Sequence, residues 1–365
     1  MHILICGGVM FKKLMLFFVA LLFVSVAGIY VFQKQIGGAL FERALESRIG
    51  IDNLAGLEDG LHVGLCGTGS PLPNPDRAGP CNIVIAGEQI YVVDIGEGGS
   101  RNLNLMAIPT NKINGVLLTH FHSDHIDGMG PLMLNHWVTQ ASTAPLPVYG
   151  PEGVDAIVDG FNAAYATDNT YRTAHHGEKI APSTGGGAEA RPFEMTGNQT
   201  VVLEKGGLKI TAFTVDHDPV APAIGYRFDY KDRSACISGD TAKSSNLERV
   251  CKGAELLIHE ALASHMVKQM TAALEERKLT NAAIITKDIL DYHATPAEAA
   301  ESAQAAGAKQ LVLSHLVPPL PSSYFYPAFL ADAPDKFDGE ITVGEDGMLF
   351  SLPANSTAIE QMQLK

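Results

Sequence analysis

The segment 119–125 of the chain, T-H-F-H-S-D-H, places three histidines and an aspartate within six positions. The apolar run directly before it, I-N-G-V-L-L, is typical of a buried strand, and a glycine-rich turn follows. His120 and His122 can reach one point from an extended loop, while Asp124 and His125 can reach a second. Imidazole nitrogen and carboxylate oxygen bind zinc at about 2.0–2.2 Å, in sites that keep a position open for water when they are catalytic. The segment therefore predicts a metal site.

This pattern resembles the H-x-H-x-D-H signature of the metallo-β-lactamase superfamily of hydrolases, and further motifs of that family follow in the family's order. His217 closes the strand T-A-F-T-V-D-H, and His315 closes L-V-L-S-H. Asp240 lies in I-S-G-D-T, where the family places a carboxylate that bridges two ions. The resemblance implies two zinc ions per chain. Their ligands would be His120, His122, His217 and Asp240 for the first ion, and Asp124, His125, His315 and Asp240 for the second.

Two more motifs indicate a branch of the superfamily. L-I-H-E-A around Glu260 and Y-H-A-T around His293 resemble the paired HEA(T) and HST motifs of the ribonuclease Z branch, which also contains arylsulfatase-like hydrolases. The β-lactamases of the superfamily lack the bridge expected at Asp240. The resemblance makes His293 a proton donor near the leaving group and Glu260 the residue that orients it, although Ala294 replaces the family's serine. Asp94 resembles a buried aspartate that braces the metal loop, and an ordinary turn carboxylate is the alternative.

The expected chemistry is hydrolysis of an ester bond. Two cations about 3.5–4 Å apart lower the pKa of a bridging water and neutralise charge on the substrate. The hydroxide so formed would attack while Asp124 orients it or takes its proton. His293 would protonate the leaving oxygen, which is worth roughly 10²–10⁴-fold. We therefore expect a dinuclear zinc hydrolase of small anionic esters, either an aryl sulfate or a phosphodiester. The alternatives are a lactonase or β-lactamase-like hydrolase and a ribonuclease Z-type endoribonuclease.

Charge and loop lengths lead us to expect no nucleic-acid partner. The formal net charge is −14, whereas proteins that bind nucleic acids usually carry a basic surface. Members of the family that process tRNA carry a long inserted arm, but here only a tight hairpin, residues 227–237, separates Tyr226 from Ser238. The segment between Glu260 and His293 is enlarged instead, and it predicts a lid over the site or ordinary core packing. The expected partners are a small anionic ester and a membrane, and a homodimer is left open.

The N-terminal segment is expected to lie outside the fold. Lys12 and Lys13 precede the uncharged segment Leu14 to Phe32, whose helix would span roughly 28 Å, close to the thickness of a bilayer core. Lysines on its N-terminal side favour an inner or plasma membrane protein whose catalytic domain faces the periplasm or exterior. The alternative is a signal peptide cleaved after the segment Ser25 to Ala27, which would give a secreted protein.

The rest of the chain predicts an α/β fold. Strands come in two batches, each followed by helices, as in the four-layer αββα sandwich of the metallo-β-lactamase fold. The polar, glycine-rich segment 168–197 is expected to be a long loop that carries His175 and His176 outside the site. The expected boundaries are 1–33 for the membrane anchor or signal segment, 34–56 for a linker, 57–355 for the hydrolase domain and 356–365 for a tail.

Four cysteines lie beyond the membrane segment. An oxidising compartment would allow the bridges Cys66–Cys81 and Cys236–Cys251, although the sequence does not establish the connectivity. The alternative is four buried thiols that pack as small apolar side chains.

Overall fold

The structure is a computed structural model that describes residues 5–365. It divides into two compact units, one up to Asp52 and one from Asn53 to Lys365. The first unit contains helix α1, Ile5–Glu46. Between Phe11 and Glu46 this helix is long and apolar enough to cross a membrane, with a mean hydropathy of 2.7 over an 18-residue window, although a signal sequence has the same properties. Membrane anchoring therefore stays a prediction.

Helix α1 continues to Glu46, so the first part of the predicted linker 34–56 is helical. The segment A-L-F-E-R-A-L-E at its end is rich in alanine, leucine, glutamate and arginine, which favour helix. The other boundaries stay predictions, with one correction at the C-terminus given below.

The second unit contains two β-sheets with helices outside them. One sheet has eight strands in the order β15-β14-β1-β2-β3-β4-β5-β6, and the other has seven in the order β13-β12-β11-β10-β9-β8-β7. The strands are β1 (Gly60–Gly67), β2 (Cys81–Ala86), β3 (Gln89–Val93), β4 (Gly115–Leu117), β5 (Leu146–Gly150), β6 (Ala188–Pro192), β7 (Gln199–Lys205), β8 (Leu208–Thr214), β9 (Ile224–Tyr230), β10 (Arg233–Ile237), β11 (Leu256–Leu262), β12 (Gln310–Val317), β13 (Glu340–Val343), β14 (Met348–Pro353) and β15 (Glu360–Gln363).

The central core lies between the two sheets. Leu61 and Val84 of the first sheet pack in one buried cluster with Phe228, Ile258 and Val312 of the second. Burial of a large apolar side chain stabilises the fold by about 1.5–3 kcal/mol, so this shared layer holds the two sheets face to face. The predicted α/β architecture with two packed sheets is confirmed.

Helices cover the outer face of each sheet. On the first sheet, Leu132 and Val154 pack against Ile83 and Val92. On the second sheet, alanines of helix α9 (Pro296–Ala306) pack against Leu257 and its neighbours. The helices are α2 (Gly99–Leu105), α3 (Ser123–Ile126), α4 (Met129–Val138), α5 (Val154–His176), α6 (Ser245–Val250), α7 (Ser264–Glu276), α8 (Thr280–Asp288), α9 (Pro296–Ala306) and α10 (Tyr326–Leu330).

Helix α9 shows how local sequence sets an element next to the predicted site. Thr295 and Glu298 form a capping box, in which the Thr295 hydroxyl accepts from the Glu298 N–H at 3.2 Å and the Glu298 carboxylate accepts from the Thr295 N–H at 2.8 Å. Pro296 occupies the first turn, and Gly307 ends the helix at a φ of 69°. The sharp start fixes the loop that carries His293.

Two segments differ from the sequence-based expectation. The predicted loop 168–197 is helical to His176 and contains β6, which pairs with β5. The residues of α5 that pack on the core are Val154, Ile157, Val158, Phe161 and Tyr165, all in its first half. The part of the helix after residue 167 therefore has no apolar period to mark it. The predicted tail 356–365 contains β15, which pairs with β14 through backbone hydrogen bonds. Its mostly polar side chains give little sign of a strand.

The segment between Glu260 and His293 contains α7 and α8, which the buried hydroxyls of Thr271 and Thr286 join at 2.8 Å. Met270 packs in a small cluster with Val267, while Met266 packs on the outer core of the second sheet. Both methionines therefore make packing contacts.

The cysteines and the short hairpin agree with the sequence. Disulfides join Cys66 to Cys81 and Cys236 to Cys251. Strands β9 and β10 are antiparallel neighbours with only residues 231–232 between them, so the hairpin predicted between Tyr226 and Ser238 is confirmed.

Candidate metal centre

The predicted site residues follow strand ends of both sheets. His120 and His122 come directly after β4, and Asp124 and His125 lie in α3. The other side chains come from the second sheet, with His217 after β8, Asp240 after β10 and His315 near the end of β12. All seven predicted ligands are brought together.

Three histidines and an aspartate form the first cluster. One ligand atom from each of His120, His122, His217 and Asp240 lies within 4.8 Å of the others. His120 Nε2 and His122 Nδ1 are 2.9 Å apart, and His120 Nε2 is 4.0 Å from Asp240 Oδ2. The ring nitrogens thus converge on one point.

The second cluster contains Asp124, His125 and His315. Asp240 Oδ2 lies 3.3 Å from the Nε2 atoms of both His125 and His315. Asp124 Oδ2 lies 3.3 Å from His315 Nε2 and 3.6 Å from His125 Nε2. Asp240 is therefore next to both clusters, the position expected of a bridging carboxylate.

Hydrogen bonds from the Nδ1 atoms orient three of the rings. His125 Nδ1–H donates to Asp94 Oδ2 at 2.9 Å, and His217 Nδ1–H donates to the Tyr292 carbonyl at 3.0 Å. His120 Nδ1–H donates to Thr119 Oγ1 at 3.1 Å, and that hydroxyl donates in turn to Asp94 at 2.8 Å. Each ring consequently keeps the lone pair of Nε2 free for a ligand, as in many metal sites.

Asp94 is therefore a bracing residue, and the alternative of an ordinary turn carboxylate does not hold. Thr119 and the carbonyl of Tyr292 were missed by sequence reasoning. Thr119 directly precedes the H-x-H pair, which is a usable local signal. A backbone carbonyl has no sequence signal of its own.

A β-bulge places His315 in the site. Across β11 and β12, Glu260 pairs with Ser314 and Ala261 pairs with Leu316, so His315 is an extra residue. Its φ is +46°, in the left-handed region. A bulge re-aims a side chain relative to the regular alternation, which explains why a strand residue can face the cluster.

Several buried atoms of the site need a cation or donor. His125 Nε2, His217 Nε2 and Asp240 Oδ1 have no hydrogen-bond partner among residues 5–365. An unsatisfied buried polar group costs about 1–3 kcal/mol. Imidazole nitrogens and carboxylate oxygens together suit a zinc-type divalent ion. The residues therefore fit a bound metal.

Burial and charge set the protonation of the ligands. Burial lowers the pKa of His122 and His217 and, with His125 nearby, holds that of His120 well below its usual value. Burial would raise the pKa of Asp240, but the surrounding histidines keep it well below its usual value. Burial would also lower the pKa of His125 and His315, but the Asp240 carboxylate raises both above the usual value. Metal binding at these two rings would therefore release protons, because neutral imidazoles and an ionised carboxylate are the forms that bind metal.

His293 and Glu260 form a buried pair next to the clusters. His293 Nδ1–H donates to Glu260 Oε1 at 2.8 Å, and the same oxygen accepts the N–H groups of Thr241 and Ala294 at 3.1 and 3.2 Å. Burial would lower the pKa of His293, but the Glu260 carboxylate raises it to about 9. His293 is therefore held as a proton donor at neutral pH.

A cleft of about 520 Å³ opens beside Asp124. Its walls come largely from the loop 70–77, and Glu97 and Asp127 also line it. Asp346 supports this loop, because its carboxylate accepts hydrogen bonds from the backbone N–H groups of Thr68 and Ala78. The cleft gives the metal centre an opening to solvent. By contrast, His175 and His176 lie outside the two clusters, as predicted, although they end helix α5 and do not belong to a loop.

Two packed sheets with histidine and aspartate clusters at the strand ends define a metal-dependent hydrolase. The family described as "Beta-lactamase superfamily domain" matches residues 96–316. Ribonuclease Z of Mycobacterium marinum is 36% identical over 289 residues, which are 78% of this chain and 96% of the relative. Ribonuclease Z of Mycobacterium bovis is 35% identical over 288 residues, with the same coverage. The chain belongs to the metallo-β-lactamase superfamily, in its ribonuclease Z branch.

Solved structures support the same fold. Human tRNase Z, short form (ELAC1), has a TM-score of 0.57 at 23% identity, covering 80% of this chain and 99% of that one. The metallo-beta-lactamase fold protein YhfI from Bacillus subtilis has a TM-score of 0.56 at 20% identity with the same coverage. At these identities the likeness shows the fold alone.

The relatives overturn the expectation that no nucleic acid is a partner. Two proteins named ribonuclease Z are 36% and 35% identical to this chain over 96% of their own length. The net charge misled the prediction because it sums over the whole chain, whereas binding depends on the local surface around the site.

We expect Asp94→Asn to weaken zinc binding by about 10- to 100-fold, the usual cost of losing a carboxylate that orients a ligating histidine. The amide would present a donor towards His125 Nδ1–H or Thr119 Oγ1–H, where the native carboxylate accepts both. Competition against a chromophoric chelator measures the affinity. Asp127→Asn, a carboxylate outside the two clusters, is the control. Equal zinc affinity in Asp94→Asn and the wild type would contradict the bracing role.

Proposed function

We propose that the protein is a metal-dependent phosphodiesterase of the ribonuclease Z type that hydrolyses a phosphodiester bond in RNA. The observation that carries this proposal is the position of Asp240, whose Oδ2 lies 3.3 Å from two histidines of one cluster and 4.0 Å from His120 of the other. The proton donor His293 stands next to both clusters. The ribonuclease Z relatives support the substrate class, so RNA replaces the small ester that we preferred from sequence.

The site would hold two divalent ions, with zinc as the expected metal. Bound ions of this kind stabilise negative charge on the phosphoryl oxygens and lower the pKa of water. The first ion would be held by His120, His122, His217 and Asp240, and the second by Asp124, His125, His315 and Asp240.

Asp124 would position the attacking water. Its carboxylate lines the open cleft and lies 3.3 Å from His315 Nε2. Burial would raise the pKa of Asp124, but the hydrogen bond with His315 lowers it. The carboxylate is therefore ionised at neutral pH, so it can orient a water towards phosphorus and accept its proton.

His293 would protonate the leaving oxygen, on the side of the phosphorus opposite to the attacking water. As the bond from phosphorus to the leaving oxygen breaks, His293 transfers its Nε2 proton to that oxygen, and the pair with Glu260 holds the ring in place. Glu260 also accepts the N–H of Thr241, which follows Asp240. The Glu260 carboxylate thus connects the proton donor His293 to the loop that carries Asp240.

We expect purified, metal-replete protein to contain two zinc ions per chain. Asp240→Ala should lower the content most, because its carboxylate faces both clusters. Inductively coupled plasma mass spectrometry measures the content, and Asp346→Asn, which changes a buried carboxylate outside the clusters, is the control. A wild-type content of one ion or none would refute the two-ion site.

We expect His293→Ala to retain its zinc and to hydrolyse phosphodiesters more slowly, by roughly 10²–10⁴-fold for poor leaving groups. The loss should shrink as the leaving group becomes more acidic, because such a group departs without a proton. The measurement is kcat across a series of aryl phosphodiesters. His265→Ala, at an exposed histidine, is the control. A loss that is uniform across the series, or loss of zinc, would argue against general-acid catalysis.

We expect the zinc-loaded protein to cut RNA that has a folded stem and a single-stranded 3′ extension. Gel electrophoresis and mass spectrometry of the products identify the cleaved bond. His120→Ala, purified in parallel, should be inactive, which controls for contaminating nucleases. The proposed function fails if the wild type hydrolyses small phosphodiesters or aryl sulfates but leaves such RNA intact, or if His120→Ala cuts it equally.

A further inference from the structure

A rim segment, residues 320–326, is hydrogen-bonded to the loop 70–77, which walls the cleft beside Asp124. Asn74 Nδ2 donates to the Leu320 carbonyl at 3.3 Å, and Arg77 Nη2 donates to Tyr326 Oη at 2.7 Å. The Tyr326 hydroxyl donates in turn to Glu345 at 2.6 Å. Two residues that line the cleft therefore hold both ends of the rim segment.

Between these two fixed ends the rim presents an aromatic pair to solvent. Tyr324 is 88% exposed and Phe325 is 38% exposed. They belong to a short 3₁₀ turn, and their ring centroids are 6.2 Å apart at an interplanar angle of 85°. An aromatic ring normally contributes to a fold by burying 150–250 Å² or so of surface. Tyr324 makes no such contribution to the core.

We propose that Tyr324 and Phe325 form a stacking platform for an unpaired base of the RNA strand that leaves the metal centre through this cleft. The inference rests on the proposed function and names the part of the chain that recognises the substrate. Bases of single-stranded RNA commonly stack on aromatic side chains, and every base offers a π-face.

The charges around the cleft favour the base over the phosphate as the group bound here. Glu97 and Asp127, which belong to neither metal cluster, line the cleft and repel a phosphate. The guanidinium of Arg77 also lines it, but its Nη1 already donates to Thr68 Oγ1 and the Gly344 carbonyl, and its Nη2 donates to Tyr326. We therefore expect an RNA strand in this cleft to be bound through its neutral bases.

The test uses the full-length protein in detergent and short single-stranded RNAs that carry 2-aminopurine, whose fluorescence is quenched when it stacks. The protein keeps its zinc, and the fluorescence is read by stopped flow before cleavage proceeds. The variants are Tyr324→Ala and Tyr324→Trp, and Tyr171→Ala is the matched control, because Tyr171 is 68% exposed on α5. Zinc content and the midpoint of chemical unfolding are measured for each variant to show that it folds.

Tyr324→Ala should weaken RNA binding by about 5- to 150-fold, the range that corresponds to the loss of one stacked base. It should also abolish the quenching, raise KM for RNA cleavage and leave kcat unchanged. Tyr324→Trp should bind like the wild type, and so should Tyr171→Ala. With an RNA that is abasic at the quenched position, wild type and Tyr324→Ala should bind equally.

The outcomes separate this inference from the proposed function. If the wild type cuts RNA but Tyr324→Ala changes neither KM nor quenching, or loses affinity equally for abasic RNA, the platform is wrong and the function stands. If the wild type shows Tyr324-dependent quenching but cuts no RNA, the function is wrong and the platform stands. Absence of RNA binding overturns both. A change of oligomeric state in Tyr324→Ala with unchanged RNA binding would assign the pair to a contact between copies and overturn the platform.

Discussion

The structure depends on one buried carboxylate placed among histidines that come from both sheets. Asp240 is 3% exposed, and its Oδ2 lies 3.3 Å from His125 and His315. A buried charge of this kind is costly unless it is paired. The loops that follow the strands therefore have to meet around it. That requirement explains features that would otherwise be unfavourable, such as the positive φ of His315 and the unsatisfied Oδ1 of Asp240.

Two further buried carboxylates, Asp94 and Glu260, hold groups at or next to the metal ligands in place by accepting hydrogen bonds from them. Asp94 accepts from the Thr119 backbone, the Thr119 hydroxyl and His125, so it fixes the ligand-bearing loop that follows β4 in the first sheet. Glu260 accepts from His293 and Thr241, so it ties the proton donor to the loop of Asp240 in the second sheet. The packed core between the sheets then sets the separation of these two braced halves.

Under the proposed function, this acidic chain has to bind RNA although its net charge is negative. The net charge is −14, and carboxylates line the cleft beside the metal centre. Two divalent cations would offset this charge at the reacting phosphate itself, while exposed aromatic rings bind bases without regard to charge. Electrostatic repulsion along the rest of the RNA strand would then favour a few contacts near the metal centre over many phosphate contacts along the RNA.

The sequence by itself indicated which histidines and aspartates come together at the site, the pairing of His293 with Glu260 and the sandwich class, because these depend on local motifs at the ends of apolar strands. It also indicated the short hairpin at residues 227–237. It did not determine that α5 continues past residue 167 or that β15 is a strand, because the exposed end of a helix and a polar edge strand have no strong hydrophobic period. Only the tertiary structure decided that His315 turns into the site through a bulge, that a backbone carbonyl orients His217, and which cysteines pair. Each of these depends on which distant segments become neighbours, and spacing along the chain does not encode that.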